Sequence, residues 1–569
     1  MFIKKLDRRI WDALFIIGFA AMLAMLIWKA PFGFQGKDEP FYLSIPLRMM
    51  QGDALIADEW HVAQLSGLLL YPAMRIYAAL GGGTEGMLLS FRYIYIGAQC
   101  LAAIYIYARL REYNAPGAIF AGLTFMCFAP HNLMALSYNT MGFQLMTGAG
   151  LTMACGRHRG AASIASGLMF AGAVLCCPYL MALYLIYTLC VLCGKLFEKE
   201  ENSAKGVLKI REWALFTLGA AILAAVLMIS VARRAGIGAA IAALPEILND
   251  PAHPQSGLVD KFAEALEMLV LSHPNVKWIF PALAALLIII YFDKNRHGHR
   301  AIYLILAAGL SLAYAKWDIL HADNNFIMLP INILGMVGYI LTREKNTRLF
   351  TYVFIPGCIY SVCIHFASNT HLYAITAACC VTCTASLALL GGLIFELLGE
   401  GRARGLSLAA AGIIAACMIG LLGTEGIMRI KYCYGDMTET QYMEAEIDCG
   451  VAKGLKITPE YADEKYYAIL EYTRPVRQAQ GENVLYVCME TWPYLMDSKD
   501  NAGYSAWLSL DHAENAAGRL KTYWALHPDK RPDAVYIDKG LDGAEMLLAA
   551  IRDDTLHLTE NAGGYILLK

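Results

Sequence analysis

The stretch Gly36-Lys37-Asp38-Glu39-Pro40-Phe41-Tyr42 follows closely on an apolar segment, Trp11 to Trp28. A helix of that length spans about 27 Å, close to the ~30 Å hydrocarbon core of a bilayer. Two adjacent carboxylates therefore stand at the mouth of a membrane helix. In a chain this apolar, that is the first place to look for chemistry. On the other side of the segment, Lys4, Lys5, Arg8 and Arg9 precede the apolar run. A secretory leader starts in the same way, but this apolar run is too long and Trp28-Lys29-Ala30-Pro31 is a poor cleavage site. The segment is read as an uncleaved first span.

The remaining chain repeats the pattern. Of its 569 residues 58% are hydrophobic, and the mean hydropathy is +0.46. The apolar excess is gathered into runs of spanning length. The fold class is a polytopic α-helical membrane protein. Further spans are expected at about 87–107, 117–128, 139–154, 162–177, 179–193, 213–231, 278–292, 301–315, 326–341, 349–365, 372–398 and 406–422, which with the first makes about 13 transmembrane helices. The long first loop is read as carrying two helices along the interface, 39–50 and 65–80.

Charge orients the spans. With the N-terminus inside and the spans alternating, the inside segments hold 21 Lys/Arg and the outside segments before the tail hold 8. The positive-inside rule then puts the N-terminus in the cytoplasm and the tail outside, in a plasma (inner) membrane. The tail, 425–569, holds 15 Lys/Arg and 24 Asp/Glu, a net of −9. It reads as a small extracytoplasmic α/β domain, with strands at 484–488 and 534–537 and a helix at 511–526. Residues 1–424 form the membrane domain. The acidity of the tail argues against nucleic acid and anionic lipid as its partners. Of the 16 cysteines, 13 lie in or beside apolar runs and read as small apolar residues. Cys433, Cys449 and Cys488 in the tail leave room for one disulfide.

The order of features after Asp38-Glu39 is distinctive. Tyr42 follows, then Leu47-Arg48-Met49-Met50, then Gly52-Asp53, then an apolar segment ending Ala79-Leu80-Gly81, then Phe91-Arg92 early in the next span. This order resembles the GT-C superfamily of polyprenyl-phosphate-sugar glycosyltransferases, nearest the protein O-mannosyltransferases and the lipid A aminoarabinose transferases. The resemblance covers about 37–178, including the glycine-dotted span from Gly160 to Pro178. It departs from the pattern at Gln64-Leu65-Ser66-Gly67, where those relatives tend to carry Lys-Pro, and at Phe41, where some carry Arg. The resemblance implies transfer of a sugar from a polyprenyl-phosphate donor to a cell-surface glycan, lipid or protein. It also implies Asp38 as the base or acceptor-orienting carboxylate, with Glu39 supporting it. A carboxylate at a polar boundary suits that role on chemical grounds too.

Phosphate contacts are then expected from Arg92, Arg233, Arg234, Lys316 and His321. Substrate contacts are expected from Tyr42, Asp58, Glu59, His61, Tyr138, Asn139, Trp317, Asp318, Asp323 and Asn324. The acidic run Asp58-Glu59-Trp60-His61 equally suits a solvated turn. The run Lys316–Asn325 is read as a loop dense in groups that grip sugars or phosphates. The segment 233–275 is read as a lid over the donor. No cofactor is expected, because a lipid phosphate can leave without a metal. With a diphosphate donor, a divalent cation such as Mg or Mn is the alternative. Two other readings compete, a surface-glycan polymerase or ligase and a flippase or transporter of lipid-linked sugar. The transporter reading predicts repeats and midplane charges that the sequence does not display.

Overall fold

The computed structural model describes residues 8–156, 158–197, 209–252, 257–270, 277–319, 328–342, 347–367, 377–399, 404–433 and 438–569. The chain is helical from α1 (Arg8–Lys29) to the end of the membrane region. α2 (Asp38–Gln51) and α3 (Gly67–Ala79) lie in the first loop. Then follow α4 (Met87–Leu110), α5 (Ala115–Cys127), α6 (Tyr138–Cys155), α7 (Arg159–Cys176), α8 (Met181–Phe197) and α9 (Ile210–Arg234). After them come α10 (Ile237–Leu248), α11 (Leu258–Val270), α12 (Ile279–Phe292), α13 (Arg300–Ile319) and α14 (Met328–Thr342). The membrane region closes with α15 (Thr347–Ala367), α16 (Cys379–Leu398) and α17 (Arg404–Lys431). Every segment read as a span is helical over most of its described length. Among the described residues, seven helices are long and apolar enough to cross a membrane, and the others are shorter or less apolar.

Small residues let these helices touch backbone to backbone, as membrane helices do without a hydrophobic force between them. A Cβ on Gly167 of α7 would fall 1.9 Å from the Phe216 carbonyl of α9. One on Gly219 of α9 would fall 2.1 Å from the Ile164 carbonyl of α7. Neither glycine has room for a side chain.

In α2, Phe41, Tyr42, Leu43, Ile45, Pro46 and Met49 are all buried. One expectation is corrected. α13 continues through Ile319, so Lys316, Trp317 and Asp318 belong to a helix rather than a loop. α17 runs on to Lys431.

The tail folds as expected, with more strands. A hairpin pairs β1 (Ala445–Glu446) with β2 (Lys456–Ile457). A five-stranded sheet follows in the order β4-β3-β5-β7-β6. In it β3 (Asn483–Val487) lies parallel to β4 (Asp500–Asn501) and β5 (Ala534–Asp538), while β7 (Gly564–Leu568) runs antiparallel to β5 and to β6 (His557–Glu560). Successive strand residues face opposite sides. Leu485, Val487, Val535 and Ile537 pack on α18 (Ala513–Leu526) and α19 (Ala544–Ile551). Val484, Tyr486, Ala534 and Tyr536 belong instead to one apolar cluster with Val476 and Tyr494 of the tail and Phe41, Tyr42 and Ile45 of α2. The sheet is thus buried on both faces. No disulfide joins the tail cysteines. Cys433 lies 3.0 Å from the Lys29 amine, and the Cys488 thiol donates to the Glu490 carbonyl at 2.9 Å.

Candidate active site

Asp38 opens α2, and Glu39 follows in its first turn. Carboxylates suit a helix N-terminus because unpaired N–H groups converge there. Pro40 fits the same turn because its missing N–H has no partner to lose. The two carboxylates then part ways. Glu39 is buried and paired with Arg92 of α4. Arg92 Nε donates to Glu39 Oε1 at 2.7 Å, and Nη2 donates to Oε2 at 2.7 Å. Nη1 donates to the Ala30 carbonyl at 2.7 Å and the Phe32 carbonyl at 3.3 Å, and Nη2 also donates to the Gly33 carbonyl at 2.7 Å. All five guanidinium hydrogens are thereby engaged. Arg92, expected on a donor phosphate, instead ties the end of α1, the turn after it and α2 into one unit.

Asp38 is left half-buried beside this unit. It accepts a hydrogen bond from the Tyr42 hydroxyl at 3.3 Å. Burial pushes its carboxyl up to about 6, while the Tyr42 hydrogen bond and the Lys37 charge pull the other way. A carboxyl in that range takes and gives protons near neutrality, as a general base must. Burial and the neighbouring Asp38 hold the Tyr42 phenol well above its usual range, so it stays a donor. The Tyr42 ring meets the Tyr138 ring edge-on at 5.6 Å. Tyr138 and Asn139 open α6, so the wall beside Tyr42 comes from the start of that helix.

The second acidic run has a different role. Arg48 of α2 donates through Nε to Asp53 at 2.7 Å, through Nη1 to Glu59 at 2.9 Å and through Nη2 to the Asp58 carbonyl at 2.6 Å. Lys530 of the tail domain donates to Asp53 at 2.7 Å, and His527 lies 3.4 Å from Asp58. Burial works to raise the Asp53 carboxyl, but Arg48 and Lys530 outweigh it and hold it below the usual range. Asp58 and Glu59 are raised, chiefly by burial. Trp60 enters the tail domain, stacking on Tyr504 at 5.5 Å and meeting Tyr523 edge-on at 5.3 Å. Asp58 and Glu59, expected on substrate, thus fasten the first loop to the tail domain. His61 lies against the Phe41 ring at 4.5 Å.

The tail domain also reaches the turn that carries Asp38. Thr491 donates through its backbone N–H to the Gly36 carbonyl at 2.7 Å, and through its hydroxyl to the Lys37 carbonyl at 2.5 Å. Gly36 N–H donates to the Tyr461 hydroxyl at 3.2 Å, and that hydroxyl is shared between the two Glu490 oxygens at 3.0 and 3.1 Å. Nothing in the linear sequence marks Glu490, Thr491, Tyr461 or Lys530 as belonging to this region. The docking of the tail domain on the first loop brings them there.

The other expected residues scatter. Arg234 donates to the Asp53 carbonyl at 3.2 Å and to the Met49 carbonyl, and sits 5.3 Å over the Tyr71 ring. Arg233 is exposed at the end of α9. Lys316, Trp317 and Asp318 lie in the last turns of α13. His321, Asp323 and Asn324 lie outside the described residues. Among the described residues no group of three or more His, Cys, Asp or Glu side chains is placed to hold a metal ion.

The fold and site define a multi-span helical membrane protein whose small α/β domain is clamped onto a carboxylate-bearing first loop. No family model and no curated protein matches the sequence. Among solved structures, the chain is similar to the Archaeoglobus fulgidus oligosaccharyltransferase tethered to an acceptor peptide. The identity is 11%, the match covers 94% of this chain and 69% of that one, and the TM-score is 0.48. It is also similar to ArnT from Cupriavidus metallidurans bound to undecaprenyl phosphate. There the identity is 12%, the match covers 99% of this chain and 98% of that one, and the TM-score is 0.47.

Proposed function

We propose that the protein is a GT-C-type membrane glycosyltransferase. It takes a sugar from a polyprenyl-phosphate carrier and passes it to a hydroxyl of a cell-surface glycan, lipid or protein outside the membrane. Asp38 receives the acceptor proton. The acceptor oxygen bonds to the anomeric carbon, the bond from that carbon to the phosphate oxygen breaks, and the lipid phosphate leaves with the electron pair. Attack opposite the leaving group inverts the anomeric centre.

One observation carries this reading. Of two adjacent carboxylates, one is locked to Arg92 and the other is half-buried, raised toward neutrality and placed beside the Tyr42–Tyr138 wall. Glu39 and Arg92 hold the turn, and Tyr42 orients Asp38. The lipid phosphate is an adequate leaving group unaided, so the reaction needs no metal. The N-terminus is cytoplasmic and the tail extracytoplasmic, following the basic residues of the loops. The clustering of Asp38, Tyr42 and Tyr138 at one end of the helices favours a transferase over a flippase, which needs polar groups near the midplane.

The test is transfer by purified protein in nanodiscs from a panel of polyprenyl-phosphate sugars, with and without EDTA. Turnover of a donor that survives EDTA supports the reading. Turnover abolished by EDTA points to a metal and a diphosphate donor. No binding and no turnover of any donor overturns it.

A further inference from the structure

The last turn of α1 carries a buried amine. Lys29 is 2% exposed, although it ends a membrane helix, where a lysine ordinarily reaches out to water. Its Nζ donates to Cys433 Sγ at 3.0 Å and to the Thr440 hydroxyl. Cys433 is 1% exposed and takes no part in a disulfide. The two residues lie 404 apart in the sequence.

Their surroundings hold them face to face. Cys433 and Thr440 flank the short antiparallel turn after α17. There Tyr432 bridges Glu439, and the Cys433 N–H donates to the Thr438 carbonyl at 2.9 Å. The Thr440 hydroxyl donates in turn to the Ile430 carbonyl at 2.7 Å. On the other side Gly33 backs onto the sulfur. A Cβ there would fall 2.6 Å from Cys433 Cβ and 3.1 Å from Sγ. The Gly33 carbonyl is itself held by Arg92 at 2.7 Å. Amine and sulfur therefore meet from two fixed stretches of backbone.

Charge and access decide the chemistry. Among the described residues Lys29 pairs with no carboxylate, and the guanidiniums of Arg92 and Arg429 lie within its electrostatic reach. A buried ammonium in such company is costly. One proton fewer on the pair relieves that cost, and the pair is then nucleophilic at nitrogen or at sulfur. Burial keeps water-borne peroxide from these atoms, but dioxygen is small and apolar and dissolves in the bilayer beside them. By the orientation proposed above, this end of α1 lies outside the cytoplasm, away from its thiol-reducing pool.

We propose that Lys29 and Cys433 form a covalent modification site, an amine–thiol pair that dioxygen joins through one bridging oxygen. One oxygen atom bonds to both Sγ and Nζ. The thiol hydrogen and one amine hydrogen leave with the other oxygen atom as water. Sulfur and nitrogen each give up two electrons, the four that reduce dioxygen. An oxygen bonded to both atoms fits the 3.0 Å between them. A direct sulfur–nitrogen bond needs them to close to little more than half of that. The bridge stitches the end of the first span to the segment that leaves α17 for the tail domain, and it is independent of the transferase reading.

The experiment uses the full-length protein in detergent, prepared without reductant under air or under argon. The protein is unfolded with its free thiols blocked, digested, and its peptides weighed by mass spectrometry. Air is expected to yield a peptide pair joining Lys29 to Cys433, heavier than the two free peptides together by one oxygen and lighter by two hydrogens. Argon is expected to prevent the pair, and dithiothreitol to return both free peptides. Isotopically heavy dioxygen is expected to place its label in the bridge, and water carrying heavy oxygen is not. Lys29→Arg keeps the positive charge and Cys433→Ser keeps an acceptor, and neither is expected to yield the pair. Only free peptides after exposure of the wild type to air overturns the proposal. So does a joined pair without the extra oxygen, which is the direct sulfur–nitrogen bond. Sulfinic or sulfonic acid on Cys433 beside an unmodified Lys29 overturns it as well.

Discussion

Glu39 and Arg92 face each other as a closed fork, each carboxylate oxygen 2.7 Å from one guanidinium nitrogen. Both are buried, and the guanidinium also gathers the carbonyls of Ala30, Phe32 and Gly33. A bidentate pair of this kind fixes direction as well as distance. It sets the angle at which α2 leaves the membrane, and so the position of Asp38.

Breaking the fork leaves one buried charge unpaired, at a cost of about 3–5 kcal/mol. Arg92→Met and Glu39→Gln are each expected to lower the thermal midpoint in detergent and to lose activity together with it. Asp38→Asn is expected to lose activity at an unchanged midpoint. Thermal unfolding of the three variants side by side separates the two roles.

The raised carboxyl of Asp38 sets a pH dependence. Below pH about 6 Asp38 is protonated and cannot take the acceptor proton. kcat/KM is expected to rise about tenfold per unit up to that point and then to level off. A profile that is flat between pH 5 and 7 removes Asp38 as the base.

The clamp from the tail domain is sensitive to one hydrogen atom. A Cβ on Gly36 would fall 1.5 Å from a Glu490 oxygen. Gly36→Ala is therefore expected to push Glu490 and Thr491 off the turn and to cut activity at least tenfold. Thr491→Val, which keeps the backbone bond and loses the hydroxyl contacts with the Gly36 and Lys37 carbonyls, is expected to cut it a few-fold. Steady-state transfer by both variants checks the order.

Docking of the tail domain depends on charge at the other end of α2. Arg48 and Lys530 converge on Asp53 from the membrane side and the tail side. Arg48→Met leaves Asp53 and Glu59 short of a partner in a buried place. It is expected to free the tail domain for cleavage near residue 438 at protease levels that spare the wild type. Lys530→Met, with Arg48 still present, has the smaller effect. Limited proteolysis with time is the measurement.

Much of this architecture is legible in the sequence, because spans are dictated by runs of apolar residues and no tertiary knowledge is needed to see them. The sheet of the tail is legible for the same reason at Val484–Val487 and Ala534–Ile537. The pair Asp38-Glu39 is legible as a pair, but its division of labour is not. Only the fold brings Arg92, 53 residues away, onto one carboxylate and spares the other. The partners of Asp58 and Glu59 are hidden for a related reason, since Arg48 and His527 arrive from elsewhere in the chain.

The most direct test of the central claim is single-turnover transfer from a polyprenyl-phosphate sugar by wild type and Asp38→Asn, with donor binding measured on the same samples. Asp38→Asn is expected to bind donor as the wild type does and to transfer it at least a thousandfold more slowly, the upper part of the range for one general base. Equal rates in the two proteins would contradict the role of Asp38 and with it the placing of the reaction at the first loop.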